Sequence, residues 1–254
     1  MSQRPTDAKL IELFHLAFFQ VLQARLGQAH YVVKGGINLR YFFESHRYSE
    51  DVDLDAVEVE PWRLEETVDG VLASPAIGLL LRSADLVVEQ VTKPKQTETT
   101  QRWKPLIAVG GRRAPLRTKI EFTRRGADPR RVLEAVPDRV VAPYALRAPT
   151  MLHYTADAAI EQKIEALAYR SQTQARDVFD LELLLRRHRD AVLPGRIQTR
   201  LLDAALERTF ELPFEAFQDQ VGPFLDPEVV ELYDDRAAWG RTQEFVAQRL
   251  TELR

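Results

Sequence analysis

The 254-residue chain has no cysteine. That excludes a disulfide scaffold, a thiolate metal site and a cysteine nucleophile. Its five histidines, His15, His30, His46, His153 and His188, show neither H-x-x-x-H nor H-E-x-x-H spacing, so zinc chemistry has no anchor. There is no G-x-x-x-x-G-K-[ST] loop and no G-x-S-x-G elbow, which removes P-loop nucleotide hydrolysis and the serine-hydrolase triad. No run approaches the ~18 apolar residues of a membrane span. The first residues, MSQRPTDAKL, lack the apolar stretch of a signal peptide. A cytoplasmic protein without membrane contact is the expectation. Glycine (11) and proline (14) are too few for a collagen-like or linker chain.

What is present is a globular composition, 45% apolar and 29% charged, enough for one large domain or two small ones with real cores. The net charge of −3 predicts no partner, but its distribution is uneven. Between residues 101 and 148 there are twelve Lys/Arg and four acids, so that stretch is +8 and the remainder −11. It reads either as a solvated Pro- and Arg-rich hinge or as a footprint for a polyanion such as RNA, with Trp103 and Phe122 as stacking surfaces.

Periodicity divides the chain. Residues 8–26 read as an amphipathic helix, Tyr31-Val32-Val33 as a strand running into Gly35-Gly36, and Ile37–Phe43 as a helix. Asp51–Val57 alternates as a strand does, and Pro61 opens a helix to about Leu72. Strand candidates follow at Leu86–Val91, Leu106–Val109 and Leu116–Thr123. Beyond about residue 150 the pattern is helical, near 156–171, 174–188, 196–209, 227–234 and 237–253. The expected architecture is α/β (α+β): a mixed sheet flanked by helices over 1–148, then a helical domain over 149–254.

Two short patterns carry chemistry. Period two places Asp51, Asp53 and Asp55 on one strand face, with Cβ atoms about 7 Å apart. Like charges so placed repel unless cations or water compensate. The arrangement suits a solvated strand edge, or a carboxylate pair holding a hard divalent ion such as Mg²⁺ beside a triphosphate. Fifteen positions before Asp51, Gly35-Gly36 sits between strand and helix. It is either a tight turn needing positive φ or a cradle where phosphate meets backbone N–H groups at a helix start, with Lys34 adding a cation.

Lys34-Gly35-Gly36-Ile37-Asn38-Leu39-Arg40 and Arg47-Tyr48-Ser49-Glu50-Asp51-Val52-Asp53-Leu54 together resemble the first signature of the DNA-polymerase-β-type nucleotidyltransferases. They are most similar to the AbiEii/MenT group, the toxin halves of bacterial type IV toxin–antitoxin and abortive-infection systems. Ile37 departs from the group's Thr or Ser and removes one hydroxyl from the phosphate site, for which Asn38 or Ser49 could substitute. The group's later motifs match Lys163-Ile164-Glu165-Ala166-Leu167-Ala168-Tyr169-Arg170 and Arg176-Asp177-Val178-Phe179-Asp180-Leu181.

The resemblance implies a nucleotidyltransferase with NTP as substrate and Mg²⁺ (or Mn²⁺) as cofactor. Asp51, Asp53, Lys163 and Asp177 would be catalytic, and Asp51 and Asp53 would hold the metal. Lys34, Gly35, Gly36, Arg40, Ser49 and Arg170 would lie on the nucleotide. It further implies RNA, in particular the tRNA 3′ end, as acceptor, and a separately encoded antitoxin acting without a stable complex. Helix geometry singles out Lys163, Arg170 and Asp177 independently, on the core-facing sides of their helices, where charge must be paired. A plain Lys163–Asp177 salt bridge is the alternative. Glu121 is the candidate third acid, or else a partner of Lys119 or Arg117. Transfer to a protein hydroxyl and a non-catalytic nucleotide-binding module are the rival functions.

Overall fold

The computed structural model describes residues 5–124, 126 and 128–254. The chain divides into two compact units, one formed by residues through Phe42 with Tyr48–Tyr154, the other by Phe43–Arg47 with Thr155–Arg254.

The first unit runs α1 (Asp7–Leu26), β1 (Tyr31–Lys34), α2 (Gly35–Phe42), β2 (Val52–Ala56), α3 (Pro61–Leu72), α4 (Pro75–Leu81), β3 (Leu86–Gln96), β4 (Thr100–Val109), β5 (Leu116–Arg117), β6 (Ile120–Thr123), β7 (Arg131–Ala135), α5 (Asp138–Val141) and β8 (Thr150–Tyr154). The strands form a mixed sheet in the order β3-β4-β6-β2-β1-β8-β7, with β5 pairing β4. The β2/β6 and β1/β8 pairs are parallel and the others antiparallel. Val52 and Leu54, with Ile120, Phe122 and Trp103, face a core shared with α1 and α3. The alternate residues of the same strands face the other way, and these are the charged ones.

α1 is more than the amphipathic helix expected. Ile11, Leu16, Phe19 and Leu22 are buried as well as the stripe at Leu10, Leu13, Phe14, Ala17, Phe18 and Val21. Each fully buried Leu or Phe contributes about 1.5–3 kcal/mol. Burial so complete also takes in Glu12 and His15, and both are satisfied. Glu12 accepts from Arg40 and Tyr144, and His15 pairs with Thr118.

Three expectations need correction. The domain border falls after Tyr154 rather than at 148, because Thr150–Tyr154 is a sheet strand. Its β1 partner lies more than a hundred residues earlier, a pairing that local periodicity cannot report. The Pro- and Arg-rich segment at 124–149, expected as a hinge, carries β7 and α5, and β4, β5 and β6 run through the earlier part of the +8 stretch; Arg125 lies outside the described residues. Trp103 and Phe122 are not stacking surfaces, since both are fully buried and the Trp103 indole donates to Asp69 Oδ1 at 2.8 Å.

The second unit contains α6 (Ala156–Tyr169), α7 (Ala175–Arg187), α8 (Thr199–Phe210), α9 (Phe214–Gln220), α10 (Val230–Tyr233) and α11 (Arg236–Glu252). α6, α7, α8 and α11 pack on one another through residues such as Ile164, Leu181, Leu202 and Val246, all buried. The short segment Phe43–Arg47 joins this unit. Arg47 forms a bridge with Leu225, and His46 C=O accepts from Asp226 N at 2.9 Å. Among the described residues, no helix is long and apolar enough to cross a membrane.

Candidate active site

Register assembles the charged face of the first unit. Lys34 on β1 stands opposite Asp53 on β2, Asp53 opposite Glu121 on β6, and Glu121 opposite Arg102 on β4. Directly paired residues share a face, so these four side chains form one row across four strands. Asp51, immediately before β2, and Lys119, two residues before Glu121, lie one step along the same face.

The carboxylates are not left to repel each other. Lys119 Nζ lies 3.1 Å from Asp53 Oδ1 and 3.4 Å from Asp51 Oδ2. Glu121 is paired with Arg102, rather than with Lys119 or Arg117, the partners that the sequence offered as the alternative to a third acid. Burial pushes the Asp51 carboxyl up to about 6. Lys119 opposes that rise, while Asp53 and Glu50 add to it. Burial alone would lower Lys119, but the carboxylates of Asp53, Asp51 and Glu121 outweigh it and raise its pKa.

Three devices fix Asp51 and Asp53. Ser49 Oγ donates to the Asp51 carbonyl at 2.8 Å, and Val52 N donates to Lys119 O at 2.8 Å. The Thr118 hydroxyl donates to Glu50 O at 2.8 Å, and its oxygen lies 2.8 Å from His15 Nε2. With the Thr118 proton on Glu50, the histidine must be the donor in that contact. Burial drives His15 down to about 3, against the pull of Asp53, so its ring is neutral at any physiological pH.

Gly35 and Gly36 open α2. Gly35 has φ 65°, the left-handed region, and a Cβ there would lie 3.2 Å from Asp53 Oδ2. Glycine is thus required both for the turn and for the approach of Asp53 to the helix start.

Other residues singled out from sequence have partners of their own. Lys34 Nζ contacts Asp55 Oδ1 at 2.5 Å and Thr123 Oγ1 at 2.7 Å, while Tyr154 OH donates to Asp55 Oδ2 at 2.6 Å. Arg40 lies 2.7 Å from Glu12 and packs over Tyr48 at 4.0 Å. Asn38 bridges to Tyr154 O at 3.0 Å and His153 Nδ1 at 2.9 Å, fastening α2 to β8.

The second unit holds its own ion cluster. Lys163 Nζ lies 3.0 Å from Asp177 Oδ1 and 2.6 Å from Asp180 Oδ2. Arg170 Nε is 3.2 Å from Asp177 Oδ2, close enough for ion pairing although that oxygen accepts no well-directed hydrogen bond. Arg47 grips Asp180 with Nε and Nη2 at 3.1 and 2.8 Å. Burial would raise Asp180, but Arg47 and Lys163 outweigh it and lower its pKa. The Lys163–Asp177 salt bridge that the helix pattern allowed is therefore formed.

Lys119, Asp180 and Arg47 were not among the candidate residues. Lys119-x-Glu121 would have emerged had β6 been known to pair in parallel with β2.

The donor set fits a hard cation. Asp51 and Asp53 offer only oxygens, are partly open to solvent, and the Lys119 ammonium shows that one cation can touch both. Among the described residues there is no ready-made group of three metal-ligating side chains, so any ion would need ligands from a bound substrate as well.

A mixed sheet bearing an alternate carboxylate pair beside a Gly-Gly helix start is the arrangement of a nucleotidyltransferase. The model of the AbiEii nucleotidyltransferase toxins of type IV toxin–antitoxin systems matches residues 17–248, and the chain belongs to that family. It is accordingly an NTP-dependent nucleotidyltransferase of the toxin type. No curated protein matches the sequence. Among solved structures, JHP933 from Helicobacter pylori is 17% identical with TM-score 0.56, covering 95% of this chain and 94% of its own. A candidate nucleotidyltransferase from H. pylori is 18% identical with TM-score 0.57, covering 96% and 98%. At such identities these two establish the shared fold alone.

Proposed function

We propose that the protein transfers a nucleoside monophosphate from an NTP to RNA, at the 3′ end of tRNA, in a reaction needing Mg²⁺ or Mn²⁺. The observation that carries the metal reading is the Asp51–Asp53 pair, held 3.4 and 3.1 Å from one shared cation. Asp51 and Asp53 would hold the metal, which supplies charge neutralisation for the triphosphate and the leaving pyrophosphate. The start of α2 at Gly35-Gly36 presents backbone N–H groups to phosphate oxygens. Ser49 and the His15–Thr118 pair keep the turn before β2 in place. Glu121, next to Asp53, is a third carboxylate once its arginine is drawn away. Lys163, Asp177 and Arg170 enter the reading on the family pattern alone. Lys34 and Arg40, bound to Asp55 and Glu12, act by holding the fold around the site.

RNA as acceptor rests on the family and on the basic stretch. Several of its arginines are paired, for example Arg102 with Glu121 and Arg124 with Gln101, while Lys104, Arg113, Arg117 and Arg147 are exposed. Adding a nucleotide to the tRNA 3′ end would block aminoacylation and stop translation in the cytoplasm. A separately encoded antitoxin would oppose this without a stable complex.

Incubation with Mg²⁺, each labelled NTP and total tRNA tests the reading. Label on tRNA, lost in Asp53→Ala, is the expected result. Label on protein would move the acceptor to a protein hydroxyl, and no label at all would leave a nucleotide-binding module.

A further inference from the structure

Lys119 is held where a divalent ion would have to go. β6 is fixed by its buried residues Ile120 and Phe122, and the preceding Lys119 projects onto the carboxylate face. Its ammonium lies within 3.4 Å of an oxygen of each proposed metal ligand. Glu121, the third acid of the face, is meanwhile engaged by Arg102, so Lys119 is directed at Asp51 and Asp53. A lysine there could not share the pair freely with a doubly charged ion a few ångströms away, because like charges at that separation repel strongly in a partly buried site. Nor is it trapped. Its side chain is 24% exposed, and four rotatable bonds allow the ammonium to swing toward solvent or another anion.

We propose that Lys119 is a built-in competitor for the divalent cation: it holds Asp51 and Asp53 together in the free protein and must withdraw before an ion can bridge them. The protein alone then takes up metal poorly. With a triphosphate present it takes up metal well, because phosphate oxygens give the displaced ammonium a new partner. Metal and nucleotide thereby load together, a coupling reciprocal by thermodynamic necessity. The inference rests on the reading of Asp51 and Asp53 as metal carboxylates.

The experiment is Mn²⁺ binding to the full chain, read by the loss of the free-ion EPR signal, without and with a non-hydrolysable NTP analogue. Wild type is expected to bind Mn²⁺ weakly alone and more tightly with the analogue. Lys119→Met should bind it alone at least about tenfold more tightly, a conservative expectation for unit charges ~4 Å apart near a surface, and gain less from the analogue than wild type does, because only the ligand contribution of the phosphate oxygens remains. Lys119→Arg, which keeps the charge, should behave as wild type does. In EDTA, Lys119→Met should melt at a lower temperature and recover on adding Mn²⁺, which separates competition from simple structural damage. Lys119→Gln serves if the methionine variant does not fold.

Unchanged or weaker Mn²⁺ binding in the folded neutral variants would overturn the inference. Adding Asp53→Asn to the Lys119→Met background separates the two readings. If the double variant still binds Mn²⁺ as Lys119→Met does, the metal assignment itself fails. If Asp53→Asn abolishes binding while Lys119→Met fails to strengthen it, the competition alone is refuted.

Discussion

Two charge clusters sit in this chain, one on each unit, and they are built in opposite ways. On the sheet, Asp51, Asp53, Lys119 and Arg102 have side chains 24–35% exposed, and each carboxylate is met by a single long, mobile cation. In the helical unit, Asp177 and Asp180 are fully buried and Arg47 and Lys163 nearly so. There each carboxylate meets two cations. Pairs of the first kind contribute only about 0–1 kcal/mol and can trade partners with a ligand. Those of the second kind cannot lose a member without stranding a buried charge. The first cluster is suited to exchange, the second to holding α6, α7 and the Phe43–Arg47 segment in place.

The sharpest way to break that contrast is to remove one acid from each cluster. Asp180→Ala strands Arg47 and Lys163 inside the helical unit and should cost about 3–5 kcal/mol in urea unfolding. Asp53→Ala should leave unfolding within about 1 kcal/mol of wild type. Its nucleotide transfer should fall by two to three orders of magnitude, roughly the scale for losing one preorganised electrostatic partner. A stable Asp180→Ala beside an unfolded Asp53→Ala would reverse the assignment of the two clusters.

How visible these clusters are in the sequence differs for the same reason. The D-x-D pair was legible because strand alternation puts both acids on one face within three residues. Lys163 and Asp177 were legible from helical sectors, which put both on core-facing sides and left a salt bridge between them as one of two readings. Invisible were the contacts set by pairing between distant strands: Glu121 with Arg102, Lys34 with Asp55, and Lys119 between Asp51 and Asp53. The Arg47–Asp180 pair spans 133 residues, and nothing local marks Arg47 as part of the helical unit. β8 was missed likewise, since its partner β1 lies far back in the chain. Local periodicity fixes which way a side chain points, and register decides what it meets.

A smaller effect should come from Gly35→Ala. At φ 65° an alanine is strained by about 1–2 kcal/mol, and its Cβ, 3.2 Å from Asp53 Oδ2, must displace that carboxylate. Stability should drop by roughly that strain, and Mn²⁺ binding should weaken with it. Gly222→Ala, in the helical unit with negative φ and open space around it, should do neither. Equal effects at both positions would show that Gly35 is no more than a turn.

The last effect is a pH dependence of opposite sign in the two clusters. Asp51 is pushed up to about 6 in the folded chain, chiefly by burial, against ~3.9 when unfolded. A carboxyl with a raised folded pKa stabilises the fold while protonated, and that contribution is lost as pH rises through the folded value. The penalty therefore sets in near pH 4, grows up to the folded value and is complete above about pH 7. Asp51→Asn removes it without removing the hydrogen-bonding shape. In EDTA the variant should melt on the order of a few degrees above wild type at pH 7.5, with the difference shrinking as pH falls toward 4. Asp180 is displaced the other way, lowered despite its burial by Arg47 and Lys163, so Asp180→Asn should lose stability most at neutral pH. Opposite signs in the two thermal-shift profiles would establish that one cluster holds a carboxylate under strain, ready for a stronger cation, while the other holds one already satisfied. Parallel profiles would refute the distinction.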